Sequence, residues 1–137
     1  MTLQEQNKNT VLRFNKEFLE QANLESFHQL VAPDFINRTA PTGTPNDTPG
    51  LIKFMEMFNK SFSDITVSIE HQIAEDDFVT TRKVIHATHI GEVMGIAATG
   101  KKVAINVIDI VRLRDGKYVE HWGIRDMLSV VNYLKQA

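Results

Sequence analysis

Cysteine is absent from all 137 residues, so the chain has no disulfide framework, thiolate nucleophile, CxxC redox pair or sulfur-based zinc site. An excess of one charge is also missing. Fifteen Lys and Arg against seventeen Asp and Glu leave a formal charge of -2, which makes no field for drawing in nucleic acid or an anionic membrane. No stretch approaches the ~18 consecutive apolar residues of a membrane span, and MTLQEQNKNT lacks the basic and apolar regions of a signal peptide. The expectation is a soluble cytoplasmic protein. There is no Gly-rich phosphate loop, dinucleotide fingerprint, GxSxG or HExxH, and the five histidines are scattered, so neither metal nor cofactor is expected. What remains is ordinary globular usage, 42% hydrophobic and 23% charged, in a length that suits one domain over residues 1–137.

Helical spacing runs through Leu3, Val11, Phe14, Phe18, Leu19 and Ala22, with Thr2 and Glu5 fitting a capping box. Asn23 can cap a second, short helix ending before Pro33. Asp34 to Asn37 reads as a short strand entering the loop TAPTGTPNDT, a lid candidate. Thr48 and Pro49 then open an amphipathic helix to about Ser61. From Asp64 the period becomes two, and long strands are predicted to about Ala74, over Phe78–His89, over Val103–Arg114, and from Tyr118 to Asp126, with a last helix over Met127–Lys135. The turns are Asp76-Asp77 and Asp115-Gly116. Two-residue turns predict Glu70 opposite Lys83, Asp109 opposite Trp122, and Ile105 opposite Asp126. Helices segregated from strands make an α+β fold, a curved antiparallel sheet with three N-terminal helices on its concave side and a ligand pocket at the open end.

The segment EHWGIRD, residues 120–126, holds the first chemical signal. Strand alternation puts Trp122 and Asp126 on one face, and the predicted register adds Asp109, giving two carboxylates on one apolar wall. A carboxylate within INVIDIVRL must pair, protonate or meet water. Asp126 also stands where strand becomes helix, so an N-cap is an equal reading, and Asp109 would face elsewhere if the hairpin carried a bulge. His86 and His89 fall on opposite faces and cannot clamp a metal together. Asn37 offers an amide at the head of the lid loop.

THIGEVMGIAATGKKV followed by DGKYVEHWGIRD resembles the SnoaL-like polyketide cyclases and related ester cyclases of the NTF2-like superfamily, and the helix order and DFINR fit as well. The resemblance implies an NTF2-like cone, a homodimer or homotetramer, no cofactor, and a small hydrophobic or polyketide-like molecule as ligand. It implies Asp126 as general base, with Asn37 and His89 as pocket residues. The expected chemistry is intramolecular aldol ring closure of a polyketide-like ester, with Asp126 and Asp109 as catalytic candidates and Asn37, His89 and Trp122 binding substrate. Two alternatives use the same cone: a non-catalytic binding or dimerisation module, and a hydratase or isomerase.

Overall fold

The computed structural model describes residues 1–137. Helix α1 (Leu3–Arg13) starts at the Thr2–Glu5 capping box and runs straight into a π-helical stretch, Phe14–Glu20. Then come α2 (Leu24–Leu30), capped by Asn23, strand β1 (Val31–Asn37), α3 (Thr48–Ser61), β2 (Phe62–Glu75), β3 (Phe78–His89), β4 (Lys102–Arg114), β5 (Lys117–Arg125) and α4 (Met127–Leu134). The cap of α3 is Asp47, one residue before the Thr48 of the sequence reading, its carboxylate accepting the Gly50 N–H. No helix is long and apolar enough to cross a membrane.

The five strands lie in the order β1-β5-β4-β3-β2, a curved, unclosed sheet with helices against its concave face. The sheet is mixed, because β1 runs parallel to β5; the other pairings are antiparallel, as predicted. Helix α1, the π-helical stretch and α2 cover the sheet with an aromatic core of Phe14, Phe18, Phe27 and Phe35, in which Phe14 stacks on Tyr118 at 4.4 Å. A second apolar cluster, including Phe62, Ile85, Ile105, Val130 and Leu134, fills the other end of the sheet.

Both long hairpins depart from the predicted register by a bulge. At the β4–β5 turn Asp115 and Gly116 have φ of 52° and 73°, as a type I′ turn needs, and Arg114 pairs Lys117 as expected. Val119 is then inserted, so that Arg112 faces Glu120, Ile110 faces Trp122 and Asp109 faces Gly123. One extra residue reverses which side chains share a face. Asp109 therefore does not stand opposite Trp122, and Ile105 faces Ile85 on β3 instead of Asp126. In the β2–β3 hairpin the register shifts twice, at the exposed Glu70, which leaves Ile69 opposite Lys83, and again between Ser63 and Thr66. The Glu70–Lys83 pair does not form, and Lys83 turns inward.

Candidate active site

Inward-facing positions of β3, β4 and β5 bring polar side chains together in mid-sheet. Thr81, Lys83 and Asp109 are buried, at 0%, 4% and 6% exposure. Lys83 Nζ lies 3.2 Å from Asp109 Oδ2 and donates at 2.7 Å to Oδ1 of Asn15, a buried residue of the π-helical stretch. The same Asn15 donates its Nδ2 hydrogen to the Val11 carbonyl at 2.9 Å, so the amide orientation is fixed. π-Helical stretches are frequent at functional sites; here one supplies the amide that holds the lysine.

On the other side of Asp109, His121 Nε2 approaches Oδ2 at 3.5 Å. The bulge at Val119 is what aims His121 at the concave face, and Gly123 makes room for its ring. A Cβ on Gly123 would fall 2.8 Å from His121 Cε1. His121 Nδ1 lies 3.1 Å from Asn37 Oδ1, which also accepts the Thr39 backbone N–H at 3.3 Å. That amide identifies the Asn37 atom as oxygen, so Nδ1 carries the hydrogen. A neutral ring of this tautomer would turn the Nε2 lone pair toward the carboxylate.

Burial pushes the Asp109 carboxyl up, but the Lys83 charge and then the His121 contact outweigh it and hold the group below its usual value. Oδ1 of Asp109 is buried without a hydrogen-bond partner. The Tyr118 hydroxyl is pushed well above its ordinary value by its own burial and secondarily by the Asp109 charge. The chain of contacts reaches the lid loop: the Gly123 N–H donates to Thr39 Oγ1 at 2.9 Å and the Arg38 N–H to the His121 carbonyl at 2.8 Å.

The other sequence candidates lie apart from this cluster. Asp126 is exposed and caps α4, its Oδ1 accepting the Ser129 N–H at 3.0 Å and its Oδ2 the Ser129 hydroxyl at 2.6 Å. These two bonds, the hydroxyl first, lower its carboxyl. Trp122 lies with Ile108, Ile110, Ile124 and Asp126 along a wide groove of about 770 Å³, on the sheet face opposite Asp109. The expected wall with two carboxylates is therefore not formed. His86 is exposed and His89 buried, the divergence that alternation predicts.

His89 explains much of the THIGEVMGIAATGK motif. Its Nδ1 accepts the Thr99 N–H at 3.2 Å, and its backbone pairs with Lys101 and Gly100, tying the two ends of the loop. A Cβ on Gly91 would fall 2.2 Å from the Lys60 carbonyl oxygen, while Lys101 donates to the Tyr133 carbonyl at the end of α4. Lys83, His121, Asn15 and Thr81 were missed by sequence reasoning. Thr81 and Lys83 stand at alternate inward positions of β3 beside Asp109, a grouping that alternation alone could have suggested, whereas His121 joins them only through the bulge at Val119 and Asn15 through the π-helical stretch.

The sequence profile described as SnoaL-like polyketide cyclase matches residues 9–134. Among solved structures, IdmH, a candidate polyketide cyclase from Streptomyces antibioticus, is 29% identical with a TM-score of 0.84, over 95% of this chain and 99% of that one. AclR, a candidate hydroxylase from Streptomyces galilaeus, is 27% identical with a TM-score of 0.83 over 96% of each chain. A candidate polyketide cyclase from Bacillus cereus is 29% identical with a TM-score of 0.81, over 94% of this chain and 80% of that one. Comparison with curated proteins gives no match.

Proposed function

Because the chain belongs to the SnoaL-like polyketide cyclase family, we propose that its one domain closes a ring in a small polyketide-like ester by a cofactor-free intramolecular aldol reaction, with Asp109 as the base. The observation that carries this reading is the state of the carboxylate: Oδ2 is held by Lys83 and His121, while the buried Oδ1 has no partner. Oδ1 takes a proton from a carbon between two carbonyls, a position acidic enough for a carboxylate base. The electron pair of that C–H bond becomes an enolate, whose carbon attacks a second carbonyl of the same molecule. The new alkoxide takes the proton back from Asp109, so no atom is gained or lost. While Asp109 holds the proton the negative charge resides on the enolate and then the alkoxide, and Lys83 stays beside Oδ2 throughout.

Proton exchange tests this without knowledge of the natural substrate. In deuterium oxide, wild-type protein is expected to exchange the α-protons of methyl acetoacetate well above the buffer rate. Asp109→Asn, checked for folding by circular dichroism, is expected to lose about a hundredfold or more of that acceleration. Native exchange by the Asn variant would overturn the assignment, and no exchange by wild type would favour the binding-module reading.

For the assembly, we propose a homodimer joined through the outer face of the sheet. Ile73, Ile108 and Ile124 are exposed there beside Trp122 and Phe78, and the same strip of a second copy is its natural cover in a two-fold contact. Sedimentation is expected to show dimers, and Ile108→Lys to shift them toward monomer; a native monomer at micromolar concentration would refute this.

A further inference from the structure

Thr81 is fully buried on the concave face of β3, and its hydroxyl has no hydrogen-bond partner. It pairs directly across the sheet with Asp109, whose Oδ1 is the other unpartnered oxygen of this layer. On the far side of Asp109 stands Gly123, whose missing side chain leaves room for His121. A valine has almost the shape of threonine and would remove the cost of burying an unmatched hydroxyl. An unmatched hydroxyl and an unmatched carboxylate oxygen on two directly paired residues of one sheet face are the pattern expected where a ligand supplies what the fold does not.

We propose that Thr81 is the oxyanion donor of this site: its O–H donates to the carbonyl oxygen adjacent to the carbon that Asp109 Oδ1 deprotonates. The inference rests on the base assignment above and adds the group that receives the developing charge. The bond strengthens as the carbonyl becomes an enolate, so it favours the transition state over the ground state. The ligand feature that the seat recognises is an enol-type oxygen, one that accepts from Thr81 and shares a proton with Asp109. No proton leaves Thr81 in the reaction. It is a hydrogen-bond donor throughout, and the proton that moves travels between carbon, Asp109 and the alkoxide.

Phenol is a stable stand-in for the enol, and toluene has the same shape without the oxygen. Ligand-observed NMR titrations of both would be made with wild type, Thr81→Val and Thr81→Ser. Wild type is expected to bind phenol about tenfold more tightly than toluene, and Thr81→Val to lose most of that preference with toluene binding unchanged. Thr81→Ser, which keeps the hydroxyl, is expected to retain it. The melting temperature of ligand-free Thr81→Val is expected to equal or exceed that of wild type, since the removed hydroxyl had no partner. Native phenol preference in Thr81→Val, no preference in wild type, or a melting temperature several degrees lower in the valine variant would each overturn the proposal. The two assignments fail separately. A lost phenol preference in Thr81→Val beside native α-proton exchange in Asp109→Asn would keep the seat and reject the base, and the reverse pattern would reject the seat alone.

Discussion

Asp109 and Asp126 belong to the same hairpin region, seventeen positions apart in the sequence, and their surroundings differ in every respect that governs a carboxylate. Asp109 is buried in mid-sheet between a lysine and a histidine and keeps one oxygen free. Asp126 is exposed at the end of β5, and both of its oxygens are engaged by Ser129. Each carboxyl is held below its ordinary value, Asp109 by neighbouring charge against burial, Asp126 by hydrogen bonds to its charged form. A lowered carboxyl is thus common to a candidate base and a helix cap. What separates them is whether an acceptor oxygen is left over and whether water is kept away.

Changes on the Asp109 side are expected to have the larger effects. Lys83→Met strands a buried carboxylate and is expected to destabilise the fold by about 3–5 kcal/mol near neutral pH. In the native protein Asp109 stabilises fully above its unfolded value of about 4, and that contribution is lost as pH falls through the lower folded value. Without Lys83, burial dominates and raises the carboxyl, so the deficit of the variant should shrink as pH falls toward 5. Urea melts across pH would show this, and a deficit independent of pH would contradict it.

A smaller effect is expected from Gly123→Ala. Its Cβ would meet the His121 ring, and the imidazole must swing from Asp109, which should cost about ten- to a hundredfold in α-proton exchange with little change in melting temperature. Unchanged exchange would show that His121 does not position the carboxylate. The smallest effect belongs to Asp126→Ala, which removes one exposed cap and is expected to lower the melting temperature by only a few degrees without slowing exchange. A collapse of the fold would show that Asp126 does more than cap α4.

How much the sequence discloses differs between these regions for a physical reason. Caps and turns are local: Thr2 with Glu5, Asn23, Asp126 and the Asp115-Gly116 turn are readable because the interacting atoms lie within a few residues. Alternation along β3 and β5 is local too, and it separates His86 from His89 and Trp122 from His121. Register across a hairpin is not local. Val119 and Glu70 carry no composition that marks a bulge, yet Val119 reverses the facing of most of β5 relative to β4, and Glu70 that of the middle of β2 relative to β3. The fold survives such an error, since helices, strands and strand neighbours stay in place, but the site does not. Lys83 meets Asp109 across the unbulged β3–β4 pair, but His121 joins them only in the bulged β4–β5 register, while the unbulged one puts Asp109 beside Trp122. The π-helical turn that aims Asn15 inward is invisible for the same reason, because its sequence reads as continuous helix.

The most direct test places Asp109→Asn and Asp126→Asn side by side in the methyl acetoacetate exchange assay, with melting temperatures measured on the same samples. Asparagine keeps the cap, because its amide oxygen still accepts the Ser129 N–H, but it cannot take a proton from carbon. The account predicts near-native exchange and melting for Asp126→Asn and a loss of about a hundredfold or more for a folded Asp109→Asn. The opposite pattern, with exchange lost in Asp126→Asn and retained in Asp109→Asn, would contradict it and return the base to Asp126.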